Sequence, residues 1–512
     1  MEASFHNNKR IAKNTLILYF RMLLVMGVSL YTSRIVLAQL GVSDYGIYNV
    51  VGGIVVMFSF LNGAMSQSTQ RFLSFELGRR NEIELEKAFK TAVTIHIIIA
   101  GIIFLLAETI GLWFLNRIMN IPDGKMTAAN WVFQCSILSY LISILQVPYN
   151  AAIISREHMQ FYAYMGILDV VAKLGIAFSL SFFIVDKLRL YAVLILLVTV
   201  IIFCVYKIFC SRHFKECVFG WLYEKNKFRE MGSYAGWSTF GSLAWVCKSQ
   251  GLNILLNLFF GTVINAAYGV SNQINTALNS FVQNFTTAVN PQIVKSYSSG
   301  NYENMQVLIT YGAKFAFLLM LLLSMPILLN INHILHLWLV KVPEYTAIFA
   351  QLVVINSLIE SISYSMGAGI QATGKIKWYQ IAVGGTILCN LPVSYILLKQ
   401  GCPPYSVFLV SITLSLITIS ERLWIMRENI PDFSIKRFFK KTLLPLGILG
   451  VISIISLIVY TAYNLSSVFS FFPSLLTVFI AVGILEYWIG LNKIERRYIW
   501  NIVKSKTKSL SF

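Results

Sequence analysis

Charge is what this 512-residue chain has least of: 12% of its residues are Asp, Glu, Lys or Arg, against 57% hydrophobic residues. The mean hydropathy is +0.68. A water-soluble domain carries about 25% charged residues to cover its surface. That shortage excludes a string of ordinary soluble domains and makes lipid the solvent. Acidic residues are scarcest, 22 against 41 Lys and Arg, for a formal net charge of +19. Cysteine is sparse as well. The seven copies form no CxxC, and Cys135, Cys204, Cys247 and Cys389 lie in apolar runs, so neither a disulfide framework nor a zinc site is expected. No metal or other cofactor is expected. A cleavable-leader pattern is missing too: Met1 to Lys13 is a short basic lead into an apolar segment too long for a leader core. That segment is expected to remain as the first helix.

What the chain does have is a series of long apolar runs. A membrane-spanning helix needs about 20 mostly apolar residues. Such runs fall at 14–39, 45–67, 89–115, 128–153, 161–185, 190–210, 232–260, 263–290, 306–330, 345–372, 378–399, 404–426, 442–463 and 466–490, fourteen in all. The short alternating segments of a lipid-embedded barrel are not needed. An even count puts both termini on one side. Outward loops then hold Arg117, Lys125, Lys187, Arg189, Lys341 and Lys399, and helices hold Arg21, Arg34, Lys173, Lys248 and Lys314. The other thirty cations fall in the termini and loops of the opposite side or, as Lys90, Lys207 and Arg422 do, within five residues of a run's end on that side. That asymmetry places both termini in the cytoplasm by the positive-inside rule. It also accounts for the net charge without nucleic acid, which is not an expected partner.

The chain repeats itself. Leu40-Gly41, Tyr45-Gly46 and Asn49 recur as Phe260-Gly261, Tyr268-Gly269 and Asn272, at offsets of 220 to 223. Gly78-Arg79-Arg80-Asn81-Glu82 is echoed by Gly300-Asn301-Tyr302-Glu303, and Phe161-Tyr162 by Trp378-Tyr379 at offset 217. The expected fold class is an all-α polytopic membrane protein of about fourteen helices. A six-helix lobe over 1–212 and a second over 213–427 are related by a parallel repeat, and 428–512 adds two helices and a basic cytoplasmic tail. Repeats of this kind place a substrate site between halves that rock in alternating access.

An enzyme is not expected. No outward loop much exceeds about fifteen residues and the cytoplasmic loops near 71–88, 211–231 and 427–441 are about twenty each, too short to fold as catalytic domains. One near-motif, Gly369 to Ile376, reads GxxxxGK but ends in Ile where a phosphate loop needs Ser or Thr, and it follows a spanning helix rather than a strand. A helix end capped by Gly374, with Lys375 and Lys377 as interfacial anchors, explains it fully.

Polar residues inside the spans are the functional signal. Asn272, Thr276, Asn279, Gln283, Thr287 and Asn290 follow one helical face. Lipid cannot satisfy carboxamides, so the stripe must meet helices or water. One or two such residues serve as interhelical glue; six over five turns read as the wall of a wet cavity. The first half carries a sparser version in Asn49, Asn62, Ser66 and Gln70, and 232–260 adds Ser238, Ser242, Trp245, Ser249 and Asn253. An ionised side chain at the bilayer centre costs about 2.5–3.5 kcal/mol even on permissive scales. Lys173 and Lys248 sit too deep to reach the interface, whereas Arg21, Arg34 and Lys314 lie near enough to helix ends to snorkel. Asp169 precedes Lys173 by four residues, the spacing of a helical ion pair, and Glu360 is a candidate acceptor of a coupling proton or partner of a nearby cation. Five embedded cations against Glu108, Asp169 and Glu360 predict a positive interior suited to an anionic substrate. His96 inside an apolar run reads as a core hydrogen-bonding group.

The run Leu40-Gly41-Val42-Ser43-Asp44-Tyr45-Gly46-Ile47-Tyr48, after a helix with Arg34 near its outer end, resembles the polysaccharide-export flippases of the multidrug/oligosaccharidyl-lipid/polysaccharide exporter superfamily. The 6+6+2 plan extends that resemblance to the whole chain as architecture. It implies a bacterial inner-membrane protein that moves an undecaprenyl-diphosphate-linked oligosaccharide from the cytoplasmic to the periplasmic leaflet for surface-polysaccharide (O-antigen or lipopolysaccharide) assembly. Its implied partners are that glycan, membrane lipid, a coupling H+ or Na+ and other polysaccharide-assembly proteins. On this reading Arg21, Arg34, Lys173, Lys248 and Lys314 hold the diphosphate. Asn49, Asn62, Gln70, Asn272, Thr276, Asn279, Gln283 and Asn290 wet the cavity wall, and Asp169 and Glu360 couple the ion. A small-molecule or cationic-drug antiporter of the same superfamily is the alternative, and a membrane-embedded glycan polymerase or ligase is a further one.

Overall fold

The computed structural model describes residues 2–496 except 57–58, 118, 120, 122–123, 184–185, 219, 221, 223, 340–341, 463–470 and 493–494. Among the described residues every regular element is helical, as a lipid-solvated backbone requires, since a helix satisfies its own N–H and C=O groups. In chain order they are α1 (Glu2–Val56), α2 (Ser59–Arg79), α3 (Glu82–Arg117), α4 (Met126–Ser155), α5 (Met159–Ser179) and α6 (Lys187–His213). The second half holds α7 (Lys225–Ser298), α8 (Tyr302–Leu329), α9 (Ile331–Trp338), α10 (Thr346–Ala372), α11 (Lys377–Lys399) and α12 (Ser406–Asn429). Then come α13 (Ile435–Ser456) and α14 (Pro473–Gly490).

Eleven segments are long and apolar enough to cross a membrane. The other three expected runs, 45–67, 232–260 and 263–290, are helical where described; the last two are more polar than those eleven, and 45–67 includes residues outside the described set. Together they make about fourteen crossings. Large apolar side chains point outward, with Leu258 71% and Trp378 72% exposed, the surface of a protein solvated by lipid rather than water.

The backbone records the repeat more sharply than the side chains do. Ten described residues have positive φ, and eight of them form four pairs: Gly41 with Gly261, Arg80 with Gly300, Gly124 with Tyr345, and Glu157 with Gly374. Their offsets of 217 to 221 match those of the sequence echoes. At the first pair the chain turns sharply inside a continuous helical run, at φ 77°, ψ 168° for Gly41 and φ 77°, ψ −167° for Gly261. Side-chain-bearing residues essentially never adopt that conformation. The second pair closes α2 and α7 identically, with the amide of Asn81 bonded to the carbonyl of Glu76 and that of Asn301 to Ser296. Each half therefore runs through the same succession of turns.

By packing, the chain forms two compact units. The first comprises 1–243 together with 287–301 and 371–380. Its apolar centres include one around Phe133, Ile137, Leu115 and Leu188, another around Phe89, Tyr149, Ile153 and Cys210, and a smaller one of Leu18, Ile154, Met159 and Ala288. The second unit comprises 244–286, 302–370 and 381–512. Its core gathers Leu256, Ala267, Phe349 and Phe408, the last two rings 4.7 Å apart. There α14 lies against α8, where Ser474 Oγ donates to Asn330 Oδ1 at 3.0 Å.

A Cβ at Gly41 or Gly261 would meet no atom within 4 Å, so the demand at both is purely conformational. Gly261→Ala should therefore lower the stability of the second unit by about 1–3 kcal/mol without a packing clash. Thermal unfolding in detergent reads this directly, and an unchanged midpoint would show that the turn is not required.

Candidate functional site

In the first unit the embedded charges gather on one face of α5. Tyr162, Gly166, Asp169 and Lys173 recur at helical spacing, and the Arg21 side chain of α1 lies across the first two. Its guanidinium carbon sits 4.3 Å from the Tyr162 ring centroid, a cation–π contact. A Cβ on Gly166 would collide with Arg21 Nε, so the guanidinium occupies room that only glycine leaves. Arg21 Nε is buried with no hydrogen-bond partner among the described residues. Two turns on, Lys173 Nζ donates to Asp169 Oδ2 at 2.8 Å, both half-exposed. Arg34 is exposed and forms no ion pair among the described residues.

The second unit has its own polar centre. Lys248 Nζ lies 3.4 Å from Glu360 Oε1, which also accepts from Asn356 Nδ2 at 3.0 Å and Ser415 Oγ at 3.3 Å. Ser415 Oγ in turn donates to Asn356 Oδ1 at 2.8 Å. A carboxylate held by Lys248 and Asn356, with the single Ser415 proton shared between it and Asn356 Oδ1, suits a group that must change charge without losing position. Beside it on α7, Asn279 donates to Asn275 Oδ1 at 2.9 Å and to Ser357 Oγ at 3.3 Å, and accepts from the Tyr364 hydroxyl at 3.1 Å.

The amide stripe on α7 is divided between the units. Asn272 and Asn279 are half-buried and Thr276 and Gln283 exposed in the second unit, whereas Asn290 belongs to the first, its Oδ1 buried without a partner among the described residues. In the first half Asn62 donates to Ser143 Oγ at 3.4 Å, and Gln70 is half-buried with its carbonyl bonded by Ser155 Oγ at 3.2 Å. The side chain of Asn49 lies outside the described residues. Asn275, not named in the stripe, stands three residues after Asn272 and four before Asn279 and so lies on the same face.

Lys314 is placed elsewhere. It is 4% exposed and donates to Glu495 Oε2 at 2.6 Å, with Glu495 8% exposed. The sequence assigned Glu495 to a tail beyond the last helix, and its 181-residue separation from Lys314 gave no sign of the pair. The count of five cations against three acids is therefore corrected: Lys173, Lys248 and Lys314 each face a carboxylate, and the uncompensated positive charge falls to Arg21 and Arg34. Arg71, expected in a loop, is instead a helical residue only 6% exposed. Among the described residues no three His, Cys, Asp or Glu side chains cluster as a metal site.

Residues 238–396 match the MatE family model. No curated protein matches the chain. Solved structures share its fold, that of the MATE transporters. One is an outward-facing multidrug-resistance MATE-family transporter of the MOP superfamily, 13% identical, with TM-score 0.72 over 82% of this chain and 96% of that one. A MOP-superfamily transporter from Pyrococcus furiosus, described as having reversed binding-pocket polarity, is 12% identical with TM-score 0.70 over 82% and 96%. The MATE transporter ClbM in complex with Rb+ is 14% identical with TM-score 0.69 over 84% and 97%.

The pairing of Lys314 yields a direct expectation. Lys314→Met leaves the Glu495 carboxylate buried alone and should cost about 3–5 kcal/mol of stability, whereas Lys314→Met with Glu495→Leu should recover most of it. Thermal unfolding of the two variants compares them; equal losses would mean that the pair does not form.

Proposed function

We propose that this chain is a secondary active transporter working by alternating access. The observation carrying this reading is a MATE-type fold built from two halves with matching turns, each holding an embedded ion pair, Asp169 with Lys173 and Glu360 with Lys248. A carboxylate inside lipid needs a partner or a proton. Protonating Glu360 releases Lys248, so the pair converts proton binding into a change of local charge. Glu360 has the richer set of donors and is assigned the principal coupling role, Asp169 the lesser.

For the cargo, the comparisons support small-molecule export against a cation gradient better than glycan translocation. The relatives named above are described as multidrug or MOP-superfamily transporters, and one holds Rb+. The Lys314–Glu495 pair points the same way, because it adds a fourth acid to the five embedded cations and lowers the positive balance that favoured an anionic headgroup.

Translocation of an undecaprenyl-diphosphate-linked oligosaccharide, from the cytoplasmic to the periplasmic leaflet of a bacterial inner membrane, is the second reading. Two features favour it. The matched structures are covered over 96% of their length but this chain over only 82%, a surplus close to the length of 428–512. Arg21 and Arg34, both on the first helix, also form no ion pair among the described residues; thirteen residues apart, about 20 Å at 1.5 Å per residue, each suits a phosphate at its own depth. In the second unit exposed Thr276 and Gln283, with half-buried Asn272 and Asn279, are polar groups suited to either cargo; in the first unit Asn62, Gln70 and Asn290 are the corresponding candidates.

Liposomes containing the purified chain separate the two. Proton- or sodium-driven efflux of a cationic dye supports export, while protection of a labelled lipid-diphosphate oligosaccharide from an external glycosidase supports translocation. Glu360→Gln should slow whichever activity is found by about tenfold or more, the scale of one lost coupling interaction of 1–3 kcal/mol. Neither activity, in correctly inserted protein, would overturn the proposal.

A further inference from the structure

Within the first unit, segments from both sequence repeats meet by exchanging equivalent elements. The end of α2, residues 71–80, corresponds at offset 220 to the end of α7, residues 291–300, and the two stretches share the same order of buried and exposed positions residue for residue. The turn at Glu157 corresponds at offset 217 to the turn at Gly374. In each case the helix end of one repeat engages the turn of the other.

Arg71 makes the first engagement. Its Nη2 donates to the carbonyl of Ala372 at 3.2 Å, where a cation meets the carbonyl end of α10. The guanidinium also fills the space beside Gly374, whose Cβ would lie 2.5 Å from Nη2. Phe72, Phe75 and Tyr234 surround it, with ring centroids 4.5, 4.8 and 5.6 Å away. The reciprocal engagement belongs to Glu157. Its carboxylate accepts from Gln292 Nε2 and from Lys295 Nζ, each at 2.6 Å, and its side chain is only 1% exposed. Between them the equivalent residues Gly78 and Ser298 touch, as positions beside the axis relating two repeats must.

Glu157 stands at φ 61° where its counterpart is glycine. A glutamate is held in that left-handed conformation against its own preference, so the bonds to Gln292 and Lys295 must outweigh the strain. A carboxylate so buried also loses the cation that faces it if Lys295 withdraws, which disfavours a half-open contact. Such a contact is made whole or broken whole. No part of the cargo or coupling sites uses these residues.

The geometry points to a double latch: Arg71 with Ala372 and Gly374, and Glu157 with Gln292 and Lys295, fasten the two repeats at one membrane face and open together during transport. The inference rests on the alternating-access reading but not on the identity of the cargo. The charge count makes this face the cytoplasmic one.

Hydrogen exchange of the full chain in nanodiscs, read by mass spectrometry, tests the latch without any substrate. Glu157→Gly suits the turn and removes only the carboxylate. It should speed exchange about tenfold in 287–301 and equally in 371–380, the segment held by Arg71, while 190–200 of α6 stays at the wild-type rate. Lys295→Gln should act in the same direction, and the charge swap Glu157→Lys with Lys295→Glu should restore slow exchange. Faster exchange confined to the neighbourhood of residue 157, a uniform rise that includes α6, or a swap that fails to restore would each overturn the latch. Absence of transport in a chain whose latch opens as described would instead count against the transport reading.

Discussion

Hydrocarbon offers no partner to a charge or a backbone amide, and the rest of this structure follows from that constraint. Backbone groups are satisfied by helices throughout the described residues. Charges are satisfied by pairing: Asp169 with Lys173, Glu360 with Lys248 and Glu495 with Lys314 each match an embedded cation to a carboxylate. The three pairs differ in surroundings. Lys314 and Glu495 are nearly sealed and act as a fastening for the C-terminal segment, whereas Lys173 and Asp169 are each about a third exposed. The Glu360 cluster lies between these extremes and has enough neutral donors to hold its carboxylate when the cation moves. The sealed Lys314–Glu495 pair fastens the fold, and the two more accessible pairs are the ones proposed to act in transport.

The repeat supplies the second constraint. Two halves that take the same turns at the same intervals present the same shapes to each other, and small sequence differences then decide what each contact does. Glu157 and Gly374 occupy matching turns, yet one offers a carboxylate and the other an empty side that admits Arg71. A single backbone plan thus yields two chemically different fastenings, one an ion pair and the other a guanidinium on a helix end ringed by aromatic faces.

Much of the fold was legible in sequence because its signals are local. Apolar runs about twenty residues long mark the crossings, and Gly41 and Gly261 stand where the echoes of the repeat begin, since only glycine accepts the turn required there. Gly374 was likewise readable as a helix end. Less of the candidate site was legible. Spacing identifies Asp169 and Lys173, which share a helix, but cannot bring Glu360 to Lys248 across 112 residues or Glu495 to Lys314 across 181. Arg71 was hidden for another reason: it sits where an apolar run gives way to charge, and its burial depends on Phe75 and Tyr234 closing over it. The charge count therefore missed one acid, Glu495, and overstated the positive balance of the interior by that one charge.

The central claim is that one chain alternates between two arrangements of its repeats. Spin labels at Arg79 and Ser299, equivalent and exposed positions at the ends of α2 and α7, report on this most directly. Their separation, measured by pulsed electron resonance in liposomes, should show a dominant short distance and a longer one whose share changes with pH or with added cargo. A single narrow distance, unmoved by either, would contradict the account.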